Sequence, residues 1–198
     1  MKLYITAPSP FARKCRIVAR EKGLIGRIQE IAIDPYASPA ELLAVNPIAQ
    51  APALVTDDNT AITDSPVICE WLDRNGSGPM LLPLDGPDRW RVKRIETLAG
   101  AALEMGVKLV LEQRRPEAER SASWIARWTD NMARALDALE AADLEAEPLD
   151  LGVITAACAV TWIGFRHPGF DREAGRPRLV ALREKLEDRP SFRETVPA

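Results

Sequence analysis

The spacing of hydrophobic positions in the first eighty residues alternates between that of strands and that of helices. Residues 2–6 predict a short strand, and apolar positions then recur at helical spacing through residues 11–19. Ser9 supplies a helix cap, Pro10 fits the first helical turn and Gly23 ends the helix. A strand, a turn and a helix in this order predict an α/β domain.

The next segments continue this alternation. In residues 28–33 the side chains of 28, 30 and 32 alternate with those of 29, 31 and 33, as on the two faces of an extended chain, and a turn follows. This pattern predicts a second, well-buried strand. Ser38, followed by Pro39, predicts the cap of a short helix that ends near Asn46. These elements complete a β-α-β unit.

A hairpin, a helix and a change of composition follow. The apolar runs 53–55 and 61–62 flank a turn and predict a β-hairpin, and 64–72 predicts a further helix. Residues 76–87 are rich in Gly and Pro, which predicts a linker. Beyond the linker the pattern is helical in four long segments, at 89–113, 117–142, 151–165 and 177–187.

The composition indicates a globular protein that acts on small molecules or other proteins. The 198 residues are 46% hydrophobic and 28% charged, and the net charge of -3 argues against a nucleic-acid or anionic membrane surface. No run of eighteen apolar residues exists, and the N-terminus enters strand-like sequence without the apolar region of a signal peptide. The expected compartment is therefore the cytoplasm.

The cysteines and the single histidine argue against metal and hydrolase chemistry. Cys15, Cys69 and Cys158 are far apart in sequence and show no CxxC spacing, so they indicate neither a disulfide framework nor a zinc site. We expect buried free thiols. Because His167 is the only histidine, a catalytic triad has one possible base, and a histidine metal cluster is nearly excluded.

Three turns of the first domain carry small polar residues that can converge at one end of an α/β sheet. They are Ser9-Pro10-Phe11, Gln50-Ala51-Pro52 and Asp64-Ser65-Pro66. Taken alone, each of these patterns also fits a simpler structural role. The serines and the aspartate suit helix caps, and a proline in a turn is usually trans.

Together these motifs resemble the cytosolic glutathione transferase superfamily, and in particular its bacterial members with a catalytic serine. The segment that starts at Asn46 (Asn-Pro-Ile-Ala-Gln-Ala-Pro-Ala-Leu) and the one that starts at Arg189 (Arg-Pro-Ser-Phe) match as well, so the resemblance covers nearly the whole chain. It implies the glutathione transferase fold, with a thioredoxin-like α/β domain at 1–77, a linker at 78–87 and an all-α domain at 88–198.

The resemblance implies that Ser9 is the catalytic residue and that glutathione is the co-substrate. A free thiol has a pKa near 8.5, and only the thiolate is the nucleophile. Lowering that pKa by about two units takes roughly 2.7 kcal/mol of preferential stabilisation of the anion. The Ser9 hydroxyl, beside the N–H groups of a helix start, could supply much of it.

The implied glutathione-binding residues are Phe11, Gln50, Ala51, Pro52, Asp64 and Ser65. A cis Pro52 would turn Ala51 towards the peptide backbone of glutathione, which would pair with it as a strand does. The Ser65 N–H would bind the γ-glutamyl carboxylate, and Asp64 would complement the γ-glutamyl ammonium. Gln50 stands where related sequences often have lysine, so it offers a neutral donor instead of a charge.

The resemblance also implies a second-substrate pocket between the domains. Its candidate residues are Glu104, Lys108, Trp162 and Arg166. His167 is expected to be structural. Asp150 is expected to cap the central helix, but with Val153 at the third helical position it lacks half of a capping box.

The predicted function is conjugation of glutathione to a small electrophile by a homodimer without metal. One alternative is a non-catalytic glutathione-binding or protein-binding module of the same fold that serves the stress response. Another is a glutathione-dependent reductase or isomerase. Cys15 is a poor candidate nucleophile for a reductase, because its helical spacing predicts a side chain in the sheet interior.

Overall fold

The computed structural model describes residues 1–197, in which the strands and helices divide between two units. The first unit contains residues 1–82 and the segment from Arg189 onward, and the second contains residues 83–188. The elements of the first unit are β1 (Lys2–Ile5), α1 (Pro10–Glu21), β2 (Gln29–Ala32), α2 (Ala40–Leu43), β3 (Ala53–Val55), β4 (Ala61–Thr63), α3 (Ser65–Asn75) and, near the C-terminus, α8 (Pro190–Arg193). The second unit consists of α4 (Gly86–Gln113), α5 (Ala122–Glu140), α6 (Leu151–Arg166) and α7 (Pro177–Glu187). The predicted fold, a thioredoxin-like α/β domain and a helical domain, is confirmed.

The four strands form one mixed sheet in the order β2-β1-β3-β4. β1 is parallel to β2 and antiparallel to β3, and β4 is antiparallel to β3 as the predicted hairpin requires. Helices α1 and α3 pack together, and the core of this unit includes Leu3, Ile17, Leu54, Ile68 and Leu72, all fully buried.

Helix α1 begins and ends where its sequence predicts. The Ser9 side chain accepts a hydrogen bond from the Ala12 N–H at 3.2 Å, which caps the first turn. Gly23, with φ at +66°, follows the last turn in the left-handed conformation that favours glycine. The strand-to-helix connection that carries Ser9 is therefore fixed by local sequence.

Two local predictions are wrong. β2 is not well buried, since it lies at the edge of the sheet and its side chains are partly or fully exposed. Ser38 does not cap α2, because it adopts a left-handed conformation after the preceding 3-10 turn and Pro39 occupies the cap position. In both cases the wider fold, and not the local pattern, decides the outcome.

The segment from Arg189 onward packs against α1, although the predicted boundaries assign it to the helical domain. Arg189 lies 2.9 Å from the Glu21 carboxylate, and Ser191 donates a hydrogen bond to the same group. Phe192 is fully buried against Arg13, whose guanidinium lies 5.6 Å from the ring centre. Burial raises the pKa of Glu21, but the bonds from Arg189 and Ser191 and the Arg189 charge outweigh it, so the pKa lies below its usual value.

A buried ion pair fastens the segment after α3 to the first unit. Lys22 Nζ lies 3.1 Å from Asp73 Oδ1, and both side chains are at most 1% exposed. Lys22 also donates to the carbonyl oxygens of Gly78 and Pro79. The two Asp73 oxygens accept the N–H groups of residues 81 and 82, each at 2.9 Å. Residues 78–82, predicted as linker, are thus an ordered part of this unit.

The second unit is built around α6, which is buried along most of its length. Asp150 caps this helix as predicted, since its Oδ1 accepts the Val153 N–H at 2.9 Å. Its other oxygen accepts a hydrogen bond from Arg91 at 2.8 Å, so an ion pair with α4 holds the cap residue in addition to the single capping bond. α5 begins later than predicted because Ser121 caps it, and a separate 3-10 turn occupies Glu117–Glu119.

His167 is structural, as predicted. Its Nε2 lies 2.9 Å from the carbonyl oxygen of Gly106, and its ring meets the Trp162 ring edge to face. A Cβ on Gly106 would stand 2.7 Å from Trp162, so only glycine permits this close packing of α4 and α6. Burial lowers the pKa of His167 more than the bond to Gly106 raises it, and the Arg166 charge lowers it further.

No helix within residues 1–197 is both long and apolar enough to cross a membrane.

Candidate functional site

The register of the sheet brings the three predicted motifs to one end of it. Tyr4 pairs with Ala53, and Ala53 pairs with Thr63, so these three residues lie side by side. The chain leaves β1 for Ser9 at this end, enters β3 from Pro52, and leaves β4 for Asp64. The convergence expected from the sequence is therefore present in the backbone.

The Ser9 hydroxyl keeps its own proton available. Its oxygen accepts the Ala12 N–H through one of its two lone pairs, and this cap does not involve the hydroxyl proton. No hydrogen bond donated by this hydroxyl is found within residues 1–197, and the residue is partly exposed. Ser9 can thus cap the helix and donate to a ligand at the same time.

The start of α1 offers a second donor beside Ser9. Pro10 has no N–H, and the Arg13 N–H bonds to the Ser9 carbonyl. The Phe11 N–H, in between, has no partner among the described residues. It lies at the positive end of a twelve-residue helix, which favours a bound anion.

The peptide bond between Ala51 and Pro52 is cis, as the resemblance implies. Ala51 precedes the first pair of β3, and within residues 1–197 its N–H and C=O make no hydrogen bond. An extended peptide could therefore pair with it as an added strand does.

Asn46, which the sequence predicts only as the end of a short helix, stabilises the turn that leads to this bond. It is 3% exposed. Its Nδ2 donates to the Gln50 carbonyl oxygen at 2.7 Å, and its Oδ1 accepts the Ile48 N–H at 3.3 Å. Ala49, inside the turn, has φ at +51°. The signal available in the sequence was an asparagine before a proline, which favours a turn.

Asp64 and Ser65 form the third part of the site. Asp64 has φ at +69°, a costly conformation for this residue, and its exposed side chain does not cap α3. Ser65 is 2% exposed, yet its hydroxyl and N–H make no hydrogen bond within residues 1–197. The Val67 N–H is likewise unpaired. These unpaired donors at the start of an eleven-residue helix suit a carboxylate.

Cys15 is fully buried, as predicted, and so it is not an exposed nucleophile. Its sulfur lies 3.8 Å from the carbonyl oxygen of Ser65 and 3.7 Å from the sulfur of Cys69. The closeness of the two cysteines could not be foreseen from their separation in sequence.

The four predicted second-substrate residues lie in the helical unit. Glu104 and Lys108 pair with each other at 2.7 Å on the surface of α4. The Arg166 guanidinium lies 4.8 Å from the centre of the Phe165 ring. Trp162 is 3% exposed and packs in the core of this unit, so the predicted ligand contact gains no support there.

No group of three or more His, Cys, Asp or Glu side chains in the described part of the chain is arranged to hold a metal ion.

Comparison with known proteins places all the candidate residues of the first unit inside one family model. Residues 8–75 match the model described as glutathione S-transferase, N-terminal domain. Over its full length the chain is 36% identical to the uncharacterized GST-like protein YibF of Escherichia coli, of which it covers 98%.

Two further relatives carry a ligand or an activity in their names. A glutathione transferase family member from Pseudomonas fluorescens Pf-5, solved with bound glutathione, is 32% identical with a TM-score of 0.93, and the match covers 100% of this chain and 98% of that one. Maleylacetoacetate isomerase of Pseudomonas aeruginosa is 29% identical over 149 residues, which are 70% of this chain and 69% of that protein.

Proposed function

The chain belongs to the glutathione S-transferase family, and from this premise we propose that it binds glutathione and activates the thiol through Ser9 for transfer to a small electrophile. One observation carries the proposal. The Ser9 hydroxyl retains its proton while it caps α1, at the same sheet end as the unpaired donors of Phe11 and Ser65.

The energy that such activation needs is within reach of these groups. Lowering a thiol pKa by about two units takes roughly 2.7 kcal/mol. A hydrogen bond from Ser9 to a charged sulfur contributes about 1.5–3 kcal/mol, and a helix N-terminus adds about 0.3–1 kcal/mol. Together the hydroxyl and the start of α1 supply a range of stabilisation that includes this requirement.

The remaining donors fit the other parts of glutathione. The N–H and C=O of Ala51 would pair with its peptide backbone, and the N–H groups of Ser65 and Val67 would bind the γ-glutamyl carboxylate. The Asp64 carboxylate would face the γ-glutamyl ammonium. Gln50 would add a neutral donor, and Phe11 contributes its N–H next to the sulfur.

Substitution of Ser9 tests the catalytic role. Ser9→Ala should lower kcat/KM for glutathione and an aryl halide by roughly tenfold or more, which corresponds to about 1.4 kcal/mol. The dissociation constant for glutathione should change little, since the carboxylate and backbone contacts remain. Titration of the bound thiol by its ultraviolet absorbance should show its pKa raised towards that of free glutathione.

Two matched variants separate catalysis from capping. Ser9→Thr keeps both the cap and the donor, and should retain most of the activity. Ser9→Asp keeps the cap but places a negative charge beside the sulfur, so it should fold stably and remain inactive. Equal turnover by wild type and Ser9→Ala would disprove the catalytic role of the hydroxyl.

Isomerisation is a second candidate activity, which the similarity to maleylacetoacetate isomerase favours. In that case glutathione would add to a substrate double bond and leave again, so that it would be regenerated. The two activities differ in stoichiometry. A transferase consumes one thiol per turnover and releases a conjugate, whereas an isomerase forms product with no net loss of thiol.

We also propose that the protein is a cytoplasmic homodimer. Trp90 is 71% exposed and Trp124 is 51% exposed, and exposed apolar surface that forms a contiguous patch marks interaction sites in proteins. Trp124 stacks on Trp128 with ring centres 5.5 Å apart, which gives α5 an aromatic face. Light scattering should report twice the chain mass of 21.8 kDa, and a mass of one chain would refute the dimer.

A further inference from the structure

Two of the three cysteines meet inside the first unit. Cys15 lies in the middle of α1 and Cys69 in the middle of α3, and both are fully buried. The Cys69 thiol donates to the Cys15 sulfur at 3.7 Å, and the Cys15 thiol in turn points at the Ser65 carbonyl oxygen at 3.8 Å. The sulfurs are thus in contact but not bonded.

This contact joins the two helices that form the site. Ser9 caps α1, and Ser65 is the first residue of α3. A chain of weak sulfur hydrogen bonds therefore runs from Cys69 through Cys15 to the main chain of Ser65. The proposed thiol transfer makes no use of either cysteine.

We propose that Cys15 and Cys69 form an oxidisable dithiol, which closes into an intramolecular disulfide when hydrogen peroxide oxidises one of the two thiols. Bonding requires the sulfurs to approach from 3.7 Å to about 2.05 Å, a movement of roughly 1.7 Å. The partner thiol is already in contact, so its effective concentration exceeds that of any thiol in solution.

The chemistry balances with peroxide as the oxidant. Peroxide transfers one oxygen to a cysteine sulfur, which becomes a sulfenic acid, and one water leaves. The neighbouring thiol attacks that sulfur, the S–S bond forms, the S–O bond breaks and a second water leaves. In total the two thiols lose two protons and two electrons, and peroxide is reduced to two waters. A phosphine reductant returns the disulfide to two thiols: the S–S bond breaks, the phosphine is oxidised to its oxide, and one water supplies the oxygen and the two protons.

Burial selects this product over others. A peroxide molecule is close to water in size, so it can enter during local opening of the helix pair. Glutathione is far larger and cannot occupy a fully buried position, which disfavours a mixed disulfide. Cys158 is buried in α6, which belongs to the other unit.

Formation of the disulfide should weaken glutathione binding, and this part of the inference rests on the proposed function. As the Cys15 sulfur moves towards Cys69, its hydrogen bond to the Ser65 carbonyl is lost. Joining the helices would also shift the starts of α1 and α3, which carry the proposed donors.

Peptide mapping tests the dithiol directly. The folded, reduced full-length protein is treated with hydrogen peroxide, then denatured, alkylated and cleaved after glutamate. Residues 1–21 joined to residues 42–70 are expected, with a mass two hydrogens below the sum of the two peptides, and Cys158 should be alkylated. Cys158→Ala should give the same linked peptide, whereas Cys69→Ala should give none.

Other products would overturn the dithiol. They are a disulfide between two chains, a disulfide that includes Cys158, oxidation to sulfinic acid at Cys15 or Cys69 without a linked peptide, and full alkylation of both residues after peroxide treatment. None of these readouts depends on glutathione binding, so the result stands apart from the proposed function.

Calorimetric titration then tests the effect on the site. The probe is glutathione sulfonate, which has no thiol and cannot reduce the disulfide. The oxidised protein should bind it roughly tenfold more weakly than the reduced protein, and a phosphine reductant should restore the affinity. Equal affinity in both states would refute the effect on the site. If neither state binds the probe, the proposed function fails while the linked peptide still supports the dithiol.

Discussion

Removal of the Asp73 carboxylate should be among the most damaging single changes in the first unit. In Asp73→Asn the Lys22 ammonium stays buried but loses its counter-charge, and the amide can accept only one of the two N–H groups that the carboxylate accepted. Breaking a buried pair in this way costs about 3–5 kcal/mol, because the remaining charge is neither solvated nor neutralised. The two carbonyl oxygens that Lys22 also contacts offset part of that cost.

This loss converts into a measurable shift in thermal stability. For a chain of this length each kcal/mol corresponds to roughly 2–4 °C, so the unfolding midpoint of Asp73→Asn should fall by roughly 6–20 °C. Circular dichroism reports the backbone of the whole chain, and tryptophan fluorescence reports the surroundings of Trp71 on α3 together with those of the four tryptophans of the second unit. Agreement of the two probes would permit a two-state reading of the free energy.

A double-mutant cycle identifies the cause. Lys22→Met should destabilise the wild type but should have little effect, or a stabilising one, in the Asp73→Asn background, because it removes the uncompensated charge. Additive effects of the two single changes would refute the reasoning. A loss below about 1 kcal/mol for Asp73→Asn would refute it too, since that is what a solvent-exposed pair contributes.

Three further predictions concern other positions. Ala49→Gly should raise the free energy of unfolding by about 0.5–1 kcal/mol in urea titrations, because φ is +51° there and the relief of about 1–2 kcal/mol exceeds the entropy cost of glycine. Asp150→Ala should lower the free energy of unfolding by about 1–2 kcal/mol, because it removes the hydrogen bond from the Val153 N–H that caps α6 and the ion pair with Arg91. Asp150→Ser should keep the cap and lower the free energy of unfolding by less. Because burial lowers the pKa of His167, the unfolded chain binds a proton more readily than the folded chain does. The thermal unfolding midpoint should therefore fall as the pH drops below about 6.5, the ordinary histidine pKa. This pH dependence should be weaker in His167→Gln.

The sequence predicted those features that neighbouring residues determine. The caps at Ser9 and Asp150, the left-handed end of α1 at Gly23 and the hairpin of β3 and β4 all follow from local patterns, and the structure confirms them. The cis Pro52 required the family resemblance, because base rates alone favour trans.

The features that sequence did not predict depend on residues far apart in the chain. Neither Lys22 nor Asp73 carries a local sign of its partner, and the same holds for Cys15 and Cys69. Whether a strand lies at the centre or at the edge of a sheet is likewise set by all the other strands, which is why the burial of β2 was overestimated. Periodicity shows which face of an element is buried but not what covers it.

The docking of the segment from Arg189 onward has a consequence for synthesis on the ribosome. Residues 1–82 emerge first, but Arg13 and Glu21 on α1 stay without their partners Phe192 and Arg189 until all of 83–188 has been made. At about 5–20 residues per second that interval is roughly 5–20 s. During this time the surface of α1 that Phe192 covers would be exposed, and chaperones that bind such surfaces would compete with the segment from Arg189 onward for it.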